Sequence, residues 1–149
     1  MDNKQFVLNS MRDVGVQAVR NLQADAPTLD GTAIIEREDY VPDFDSDKQQ
    51  FLKWPIGSVV KDNDQVWQLI QPYNSIVYKD HPENLRAHWG LCHTKDPKKA
   101  KPFVPPYGTS GLYMKGECCT ENGKTYISKE NNNNYSPSEY PAYWDEYTE

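Results

Sequence analysis

The sequence predicts a mainly β fold with an N-terminal α-helix, in which two small three-stranded β modules follow in tandem, joined by a Pro- and Lys-rich connector. Three observations predict it: an apolar helical periodicity near the N-terminus, an internal repeat with an offset of 59 residues, and a segment rich in proline and lysine between the two copies. Only 37% of the 149 residues are hydrophobic. Aromatic side chains must therefore supply much of the core of each small module.

The first element is a helix predicted over residues 4–22. Its apolar residues recur at steps of three or four and so share one face: Val7, Met11, Val14, Ala18 and Leu22. The pattern ends at Ala26-Pro27, because the residue before a proline avoids the helical conformation. Residues 1–26 are predicted to form a docking helix. An isolated helix of this length is marginal in water, so its apolar face packs either on the chain's own domain or on a partner protein.

Residues 27–50 are acidic and rich in turn-forming residues, which predicts an extended arm. Residues 1–50 together carry five basic and ten acidic side chains. The run Ala33-Ile34-Ile35 is the short strand candidate in this arm.

The repeat organises the remainder of the chain. The landmarks of the first copy recur 59 residues later, so that Trp54, Gly57 and Val59 correspond to Tyr113, Gly116 and Cys118. Each copy has a hairpin-turn signal, Asn63-Asp64 or Asn122-Gly123, between two predicted strands. A polar loop with a tyrosine, Tyr78 or Tyr135, and a closing tryptophan, Trp89 or Trp144, follow in each copy. The predicted modules span residues 51–91 and 111–149, with the connector at 92–110.

The second copy resembles the small chitin-binding modules of carbohydrate-binding families 5 and 12. The residues that carry the resemblance are Tyr113, Gly116, Cys118, the run Asn122-Gly123-Lys124-Thr125-Tyr126, Pro137 and Trp144. The loop at residues 131–141 is similar to variants of this module in bacteriophage tail and baseplate proteins. The first copy resembles a divergent example, and the helix with its acidic arm is similar to small phage structural proteins that carry such modules.

This resemblance implies a non-enzymatic virion component of a bacteriophage or phage-like particle, in the tail, the baseplate or a head appendage. It implies tandem carbohydrate-binding-like modules that attach to a bacterial surface polysaccharide. Other virion subunits would be bound through the N-terminal helix and arm, in an oligomeric assembly with many copies. Synthesis in the host cytoplasm would precede incorporation into the virion.

Sugar binding requires exposed aromatic rings, because the C–H face of a pyranose stacks on them. The first candidates are Tyr78 and Tyr135, in polar loops, and the second candidates are Tyr73 and Tyr140. The alternative is that these tyrosines cover the module core. The residues assigned to the core are Trp67, Trp89, Tyr126 and Trp144, whereas Trp54 and Tyr113 could have either role.

Composition argues against several other functions. The net charge of −6 disfavours nucleic acid as a partner, and no apolar run is long enough to span a membrane. The first twenty residues have no continuous apolar stretch, so no secretion signal is expected. The three cysteines are too few for a disulfide framework, which fits a reducing cytoplasm.

We expect no enzymatic activity, cofactor or metal. No serine lies in a Gly-x-Ser-x-Gly motif, and the histidines (His81, His88 and His93) form no recognisable catalytic pattern. His88, Cys92, His93 and Cys118 could supply zinc ligands, but their spacing lacks a Cys-x-x-Cys pair. Two other hypotheses remain at this point: a structural protein–protein adaptor in the virion, and a secreted polysaccharide-binding accessory protein.

Overall fold

The computed structural model describes residues 16–149, which form two β-sheets, one for each repeat, preceded by helices. The prediction of a mainly β fold with an N-terminal helix is confirmed. The helices are α1 (residues 16–25) and α2 (Gly31–Glu36). The first sheet has the order β1 (Val59–Asp62), β2 (Gln65–Leu69), β3 (Trp89–Leu91). The second has the order β4 (Lys101–Pro102), β5 (Cys118–Glu121), β6 (Lys124–Ser128), β7 (Trp144–Tyr147). Single-turn 3₁₀ helices lie at Ala26–Thr28, Glu38–Tyr40, Pro82–Asn84, Pro97–Lys99 and Pro141–Tyr143.

Helix α1 packs on its own chain. Leu22 is completely buried in an apolar cluster with Ile34, Ile35 and Val59, and Ala18 is half-buried. The prediction of Leu22 as part of a partner-docking face is therefore wrong, because α2 and the first sheet already cover it. The other predicted docking residues, Val7, Met11 and Val14, lie outside the described residues.

The strand predicted at Ala33-Ile34-Ile35 is a helix, α2. The Asp30 carboxylate caps its first turn by accepting a hydrogen bond from the Ala33 amide at 2.8 Å. Ile34 and Ile35 are both buried beneath α1 and the first sheet. The segment is also tied to the chain between the two sheets, since the Thr32 hydroxyl accepts from the Lys95 amide at 2.9 Å. Residues 27–50 thus form part of the packed fold and not an extended arm.

The two hairpins repeat residue for residue, which confirms the predicted strands and turns. Val59 pairs with Gln68 in the first sheet, and Cys118 pairs with Ile127 in the second, both at an offset of 59. Both central residues of each turn have positive φ, 51° and 62° in Asn63-Asp64 and 53° and 77° in Asn122-Gly123. This is the hairpin turn whose twist matches that of the strands.

The repeat begins earlier than predicted, at a phenylalanine. The Phe44 amide donates to the Lys61 carbonyl at 2.8 Å, and the Phe103 amide donates to the Thr120 carbonyl at 3.0 Å, again with an offset of 59. In the second repeat this segment is strand β4, parallel to β5. The second sheet therefore has four strands and not the predicted three, and part of the predicted connector belongs to it.

The two sheets are packed together along a seam. The His93 ring stacks on Tyr113 with 3.7 Å between centroids, and Arg86 donates to the Pro105 carbonyl at 3.0 Å. The Cys118 amide donates to the Thr94 carbonyl at 2.8 Å. The prediction of two modules separated by a connector is corrected accordingly: residues 92–110 carry buried side chains, His93 among them, that join the sheets.

Aromatic rings form much of the interior, as the composition predicts. Trp67 and Trp89 are buried in the first repeat and Trp144 in the second, whereas Tyr126 is only partly buried at the edge of its cluster. Tyr113 is 1% exposed and belongs to the core, and Trp54 is half-buried. Each cluster is small, so each repeat depends on a few large side chains.

Candidate functional site

The four candidate tyrosines differ in exposure. The exposed fractions are 59% for Tyr78, 43% for Tyr135, 43% for Tyr140 and 4% for Tyr73. Only the first three can present a ring to a ligand.

Tyr73 is a core residue, so its prediction as a sugar-binding residue is wrong. Its hydroxyl accepts a hydrogen bond from the indole nitrogen of Trp89 at 3.0 Å, and its ring stacks on Phe51 with 5.6 Å between centroids. Burial raises the pKa of Tyr73. Both the polar tip and the face of the ring are used inside the protein, and nothing remains for a ligand.

Tyr135 and Tyr140 flank a turn that is closed by reciprocal hydrogen bonds. The Ser136 amide donates to the Glu139 carboxylate at 3.1 Å, and the Glu139 amide donates to the Ser136 hydroxyl at 3.2 Å. This is the pairing of a capping box, which satisfies two backbone donors at once. The Tyr140 amide also donates to the Ser136 carbonyl at 3.0 Å. The turn therefore fixes the two tyrosines at a set separation.

The rings gather into one surface, which we call the tyrosine platform (Tyr135, Tyr140 and Tyr143). The Tyr135 and Tyr140 rings lie 5.4 Å apart at 31° to each other, and Tyr143 lies 4.4 Å from Tyr140. Tyr143 is half-buried beside its two exposed neighbours. A row of exposed rings stiffened by contact with one another loses little entropy when a flat ligand covers it.

The core of the second repeat supports the platform through backbone atoms. The Trp144 indole nitrogen donates to the Tyr135 carbonyl at 3.0 Å, and the Tyr135 amide donates to the buried Asn133 side chain at 3.1 Å. In the first repeat the indole nitrogen of the closing tryptophan, Trp89, donates to the hydroxyl of Tyr73, and Tyr73 is buried. In the second repeat a backbone carbonyl accepts the hydrogen bond from the tryptophan. The Tyr135 side chain is therefore not needed as an acceptor, and its ring lies at the surface.

The first repeat has the same turn but lacks the platform. The Tyr78 amide donates to the Asn74 carbonyl at 2.9 Å, as Tyr140 does to Ser136. The structure therefore matches Tyr78 with Tyr140, and Tyr73 with Tyr135, whereas the sequence comparison paired Tyr78 with Tyr135. Among the residues described, no aromatic ring packs against Tyr78.

The residues that precede the matched tyrosines differ in chemistry. Ile76 and Val77 occupy the turn of the first repeat, each 66% exposed, where the second repeat has Ser138 and Glu139. At these two positions of the turn, therefore, only the second repeat has polar groups that could hydrogen-bond sugar hydroxyls.

The histidines lie apart and serve the fold. His81 contacts the Asp62 carboxylate at 2.8 Å, and His88 donates to the Gln71 carbonyl at 2.9 Å. His93 donates to the Gly111 carbonyl at 2.8 Å, and burial lowers its pKa to about 4. Within residues 16–149, no three His, Cys, Asp or Glu residues lie together in a way that could hold a metal ion.

The cysteines are buried thiols. Burial raises the pKa of Cys92 and of Cys119 to about 12, and that of Cys118 to about 11. Because the thiolate is the reactive form, these environments suppress nucleophilic chemistry. Cys118 and Cys119 occupy the places of Val59 and Val60 and pack as small apolar residues.

Neither a protein-family model nor a curated protein matches this chain. No helix within the described part of the chain is long and apolar enough to cross a membrane. The candidate site is an exposed surface of aromatic rings and not an enclosed pocket.

Proposed function

We propose that this chain is a non-enzymatic component of a bacteriophage or phage-like virion that attaches to a glycan of the bacterial surface. The observation that carries the proposal is the tyrosine platform, on a repeat whose sequence resembles phage variants of carbohydrate-binding modules. Tail, baseplate and head appendage are the sites in the particle that the resemblance implies. The other proposed partners are virion subunits, and the chain would be present in many copies.

The platform has the chemistry that sugar binding needs. Tyr135 and Tyr140 offer ring faces to the C–H face of a pyranose, and their separation is fixed by the turn. Asn134 and Ser138 are exposed beside the rings, with an amide and a hydroxyl available for sugar hydroxyls. Such a shallow site binds weakly by itself, and many copies on one particle would supply avidity.

The test is retention on insoluble glycans: bacterial cell walls, peptidoglycan, chitin and cellulose. The Tyr135→Ala/Tyr140→Ala variant removes both exposed rings. It should fold normally, because the hydrogen bonds to these residues are made by backbone atoms. Tyr107→Ala is the matched control, since Tyr107 is 60% exposed and lies outside both turns. Thermal unfolding establishes that both variants are folded.

We expect the wild type and Tyr107→Ala to be retained on at least one glycan. The retention of the double variant on that glycan should be at least tenfold lower. A loss of tenfold corresponds to about 1.4 kcal/mol for two rings together, which is modest for aromatic contacts. Equal retention of all three proteins would refute the site. No retention of the wild type on any glycan, even with many chains displayed together on one bead, would refute glycan attachment.

A second candidate function, that of a structural adaptor between virion subunits, is favoured by the first repeat. Ile76 and Val77 are adjacent, aliphatic and largely exposed at the tip of a turn. Ile76→Ser/Val77→Glu installs the residues of the second repeat at the same positions. If the first repeat is an adaptor, this folded variant will be incorporated into particles at a lower copy number than the wild type. Unchanged incorporation would count against the adaptor.

A further inference from the structure

Resting on the proposed function, we infer that the tyrosine platform selects neutral or amine-bearing glycans and rejects glycans that carry carboxylate or phosphate groups. Two carboxylates that are hydrogen-bonded to the turn of the platform carry this inference, Glu121 and Glu139. Their placement is fixed by hydrogen bonds, they lack cationic partners in the described structure, and the first repeat lacks the arrangement.

Glu139 lies between the two exposed rings along the chain. Its carboxylate accepts from the amide of Ser136, the residue after Tyr135, at 3.1 Å. Glu139 itself is the residue before Tyr140. Glu121 approaches the same turn from β5, and its carboxylate accepts from the Ser138 amide at 2.9 Å. Both carboxylates are thus hydrogen-bonded to the backbone of the turn that carries Tyr135 and Tyr140.

The nearby lysines are directed at other carboxylates. Lys124 lies 3.8 Å from Glu146, and Lys129 lies 3.9 Å from Asp145. Within residues 16–149, neither Glu121 nor Glu139 has a cationic side-chain nitrogen within 4.0 Å. Neither carboxylate is therefore held in a direct ion pair, and a cationic group of a ligand would be a counter-ion for them.

The first repeat provides an internal contrast. The residue equivalent to Glu121 is Asp62, which is 2.8 Å from His81, and the residue equivalent to Glu139 is Val77. The turn of the first repeat forms without a carboxylate at the Glu139 position, so the turn itself does not require Glu139. The hairpin carboxylate is present in both repeats, but only that of the first repeat, Asp62, contacts a histidine.

The test uses two pairs of solid glycans that differ in charge on one backbone. Chitin is compared with chitosan, its amine-bearing form, and cellulose is compared with carboxymethylcellulose, its carboxylate-bearing form. The net charge of −6 will bring the whole protein to chitosan without any specific site. The quantity measured is therefore the retention that Tyr135→Ala/Tyr140→Ala loses, which isolates the platform.

The specificity variant is Glu121→Gln/Glu139→Gln. The glutamine side-chain oxygen keeps both hydrogen bonds with the backbone amides, so only the charge is removed. Glu83→Gln, an exposed glutamate in the first repeat, is the control for a change of net charge. High salt is the second control, because exposed charges are screened.

We expect platform-dependent retention to rank chitosan above chitin and cellulose above carboxymethylcellulose. Glu121→Gln/Glu139→Gln should reduce these preferences by about two- to fivefold for each carboxylate removed, as expected for exposed ion pairs. High salt should abolish the preferences, and Glu83→Gln should leave them unchanged.

Equal platform-dependent retention on both members of each pair would overturn the charge selectivity and leave the proposed function intact. Preferences that persist unchanged in Glu121→Gln/Glu139→Gln would do the same. Absence of platform-dependent retention on all four solids and on cell walls would overturn the proposed function itself.

Discussion

The glycine that opens each hairpin offers a matched test of backbone strain against packing. Gly57 and Gly116 have nearly identical φ angles, 96° and 93°. Each amide makes the same hydrogen bond, to the Leu69 carbonyl at 2.7 Å or to the Ser128 carbonyl at 2.9 Å. Their surroundings differ, so substitution by alanine should destabilise the protein by different amounts.

The magnitudes follow from what a Cβ atom would meet. At Gly116 the nearest atoms are the flexible Lys95 side chain at 3.7 Å or more, so alanine suffers only the backbone strain of positive φ, about 1–3 kcal/mol. At Gly57 a Cβ would lie 2.6 Å from Cγ of Pro27, in the 3₁₀ turn after α1. Moving that turn adds a cost of about 1–3 kcal/mol, which is typical of overpacking.

Urea unfolding of the wild type, Gly57→Ala and Gly116→Ala measures the free-energy cost of the backbone strain and that of the clash with Pro27. We expect Gly116→Ala to lose about 1–3 kcal/mol and Gly57→Ala to lose about 1–3 kcal/mol more. Equal losses would refute the packing term, and no loss in Gly116→Ala would refute the strain. A change of slope in only one variant would show that the repeats unfold separately, against the seam described above.

Three further results are expected. Tyr73→Phe should lose about 1–3 kcal/mol of unfolding free energy because it leaves the buried Trp89 indole without an acceptor, whereas Tyr135→Phe should lose almost nothing, since Trp144 bonds to a carbonyl there; equal losses would contradict this. The unfolded chain takes up a proton at His93 near its ordinary pKa of 6.5, whereas the folded chain does so only at about pH 4. Wild-type stability should therefore fall between about pH 6.5 and pH 4 relative to His93→Gln, by up to about 3 kcal/mol, and parallel stability curves would contradict it. At about pH 8 a thiol reagent should label none of the buried cysteines in the folded protein and all of them in urea, as read from the absorbance of the released group.

The hairpins could be predicted because their signals are local. Asn63-Asp64 and Asn122-Gly123 specify the turn, and the alternation beside them specifies the strands. The offset of 59 then transfers the register from one repeat to the other. Strand β4 is not predicted, because a strand of two residues shows no periodicity in the sequence. The match between Phe44 and Phe103 at the offset of 59 is the one signal of it.

Helix α2 is predicted as a strand because its β-branched isoleucines favour strands, whereas the signal for a helix is a single capping residue. Ile34 and Ile35 favour strands, but Asp30 is three residues before Ala33 and satisfies its amide. Packing beneath α1 then decides the conformation, and the sequence gives no measure of that packing. The same limit explains why the seam at His93 was interpreted as a connector.

The candidate site could be predicted only in part, because exposure depends on loop length. Leu69 pairs with Trp89, whereas Ser128 pairs with Trp144, so the first loop is four residues longer. The sequence comparison had no means of placing this insertion and paired Tyr78 with Tyr135. Only the backbone of the two turns reveals that Tyr73 and Tyr135 are equivalent, one inside and one outside.

Within residues 16–149, this inversion leaves one tyrosine platform, that of the second repeat. A platform needs a tyrosine ring that is not bonded to the closing tryptophan. Of the two closing tryptophans, Trp144 donates to a backbone carbonyl, whereas Trp89 donates to the Tyr73 hydroxyl. On the proposed function, the part of the chain that the structure describes therefore contributes one glycan site and not two. Avidity has to come from the number of chains in the particle. Isolated chains should then bind weakly, while the same chains on a particle or on a densely loaded bead should be retained strongly. If dispersed chains bind cell walls as tightly as clustered ones, a second site exists within the chain, and the assignment of one platform per chain is wrong.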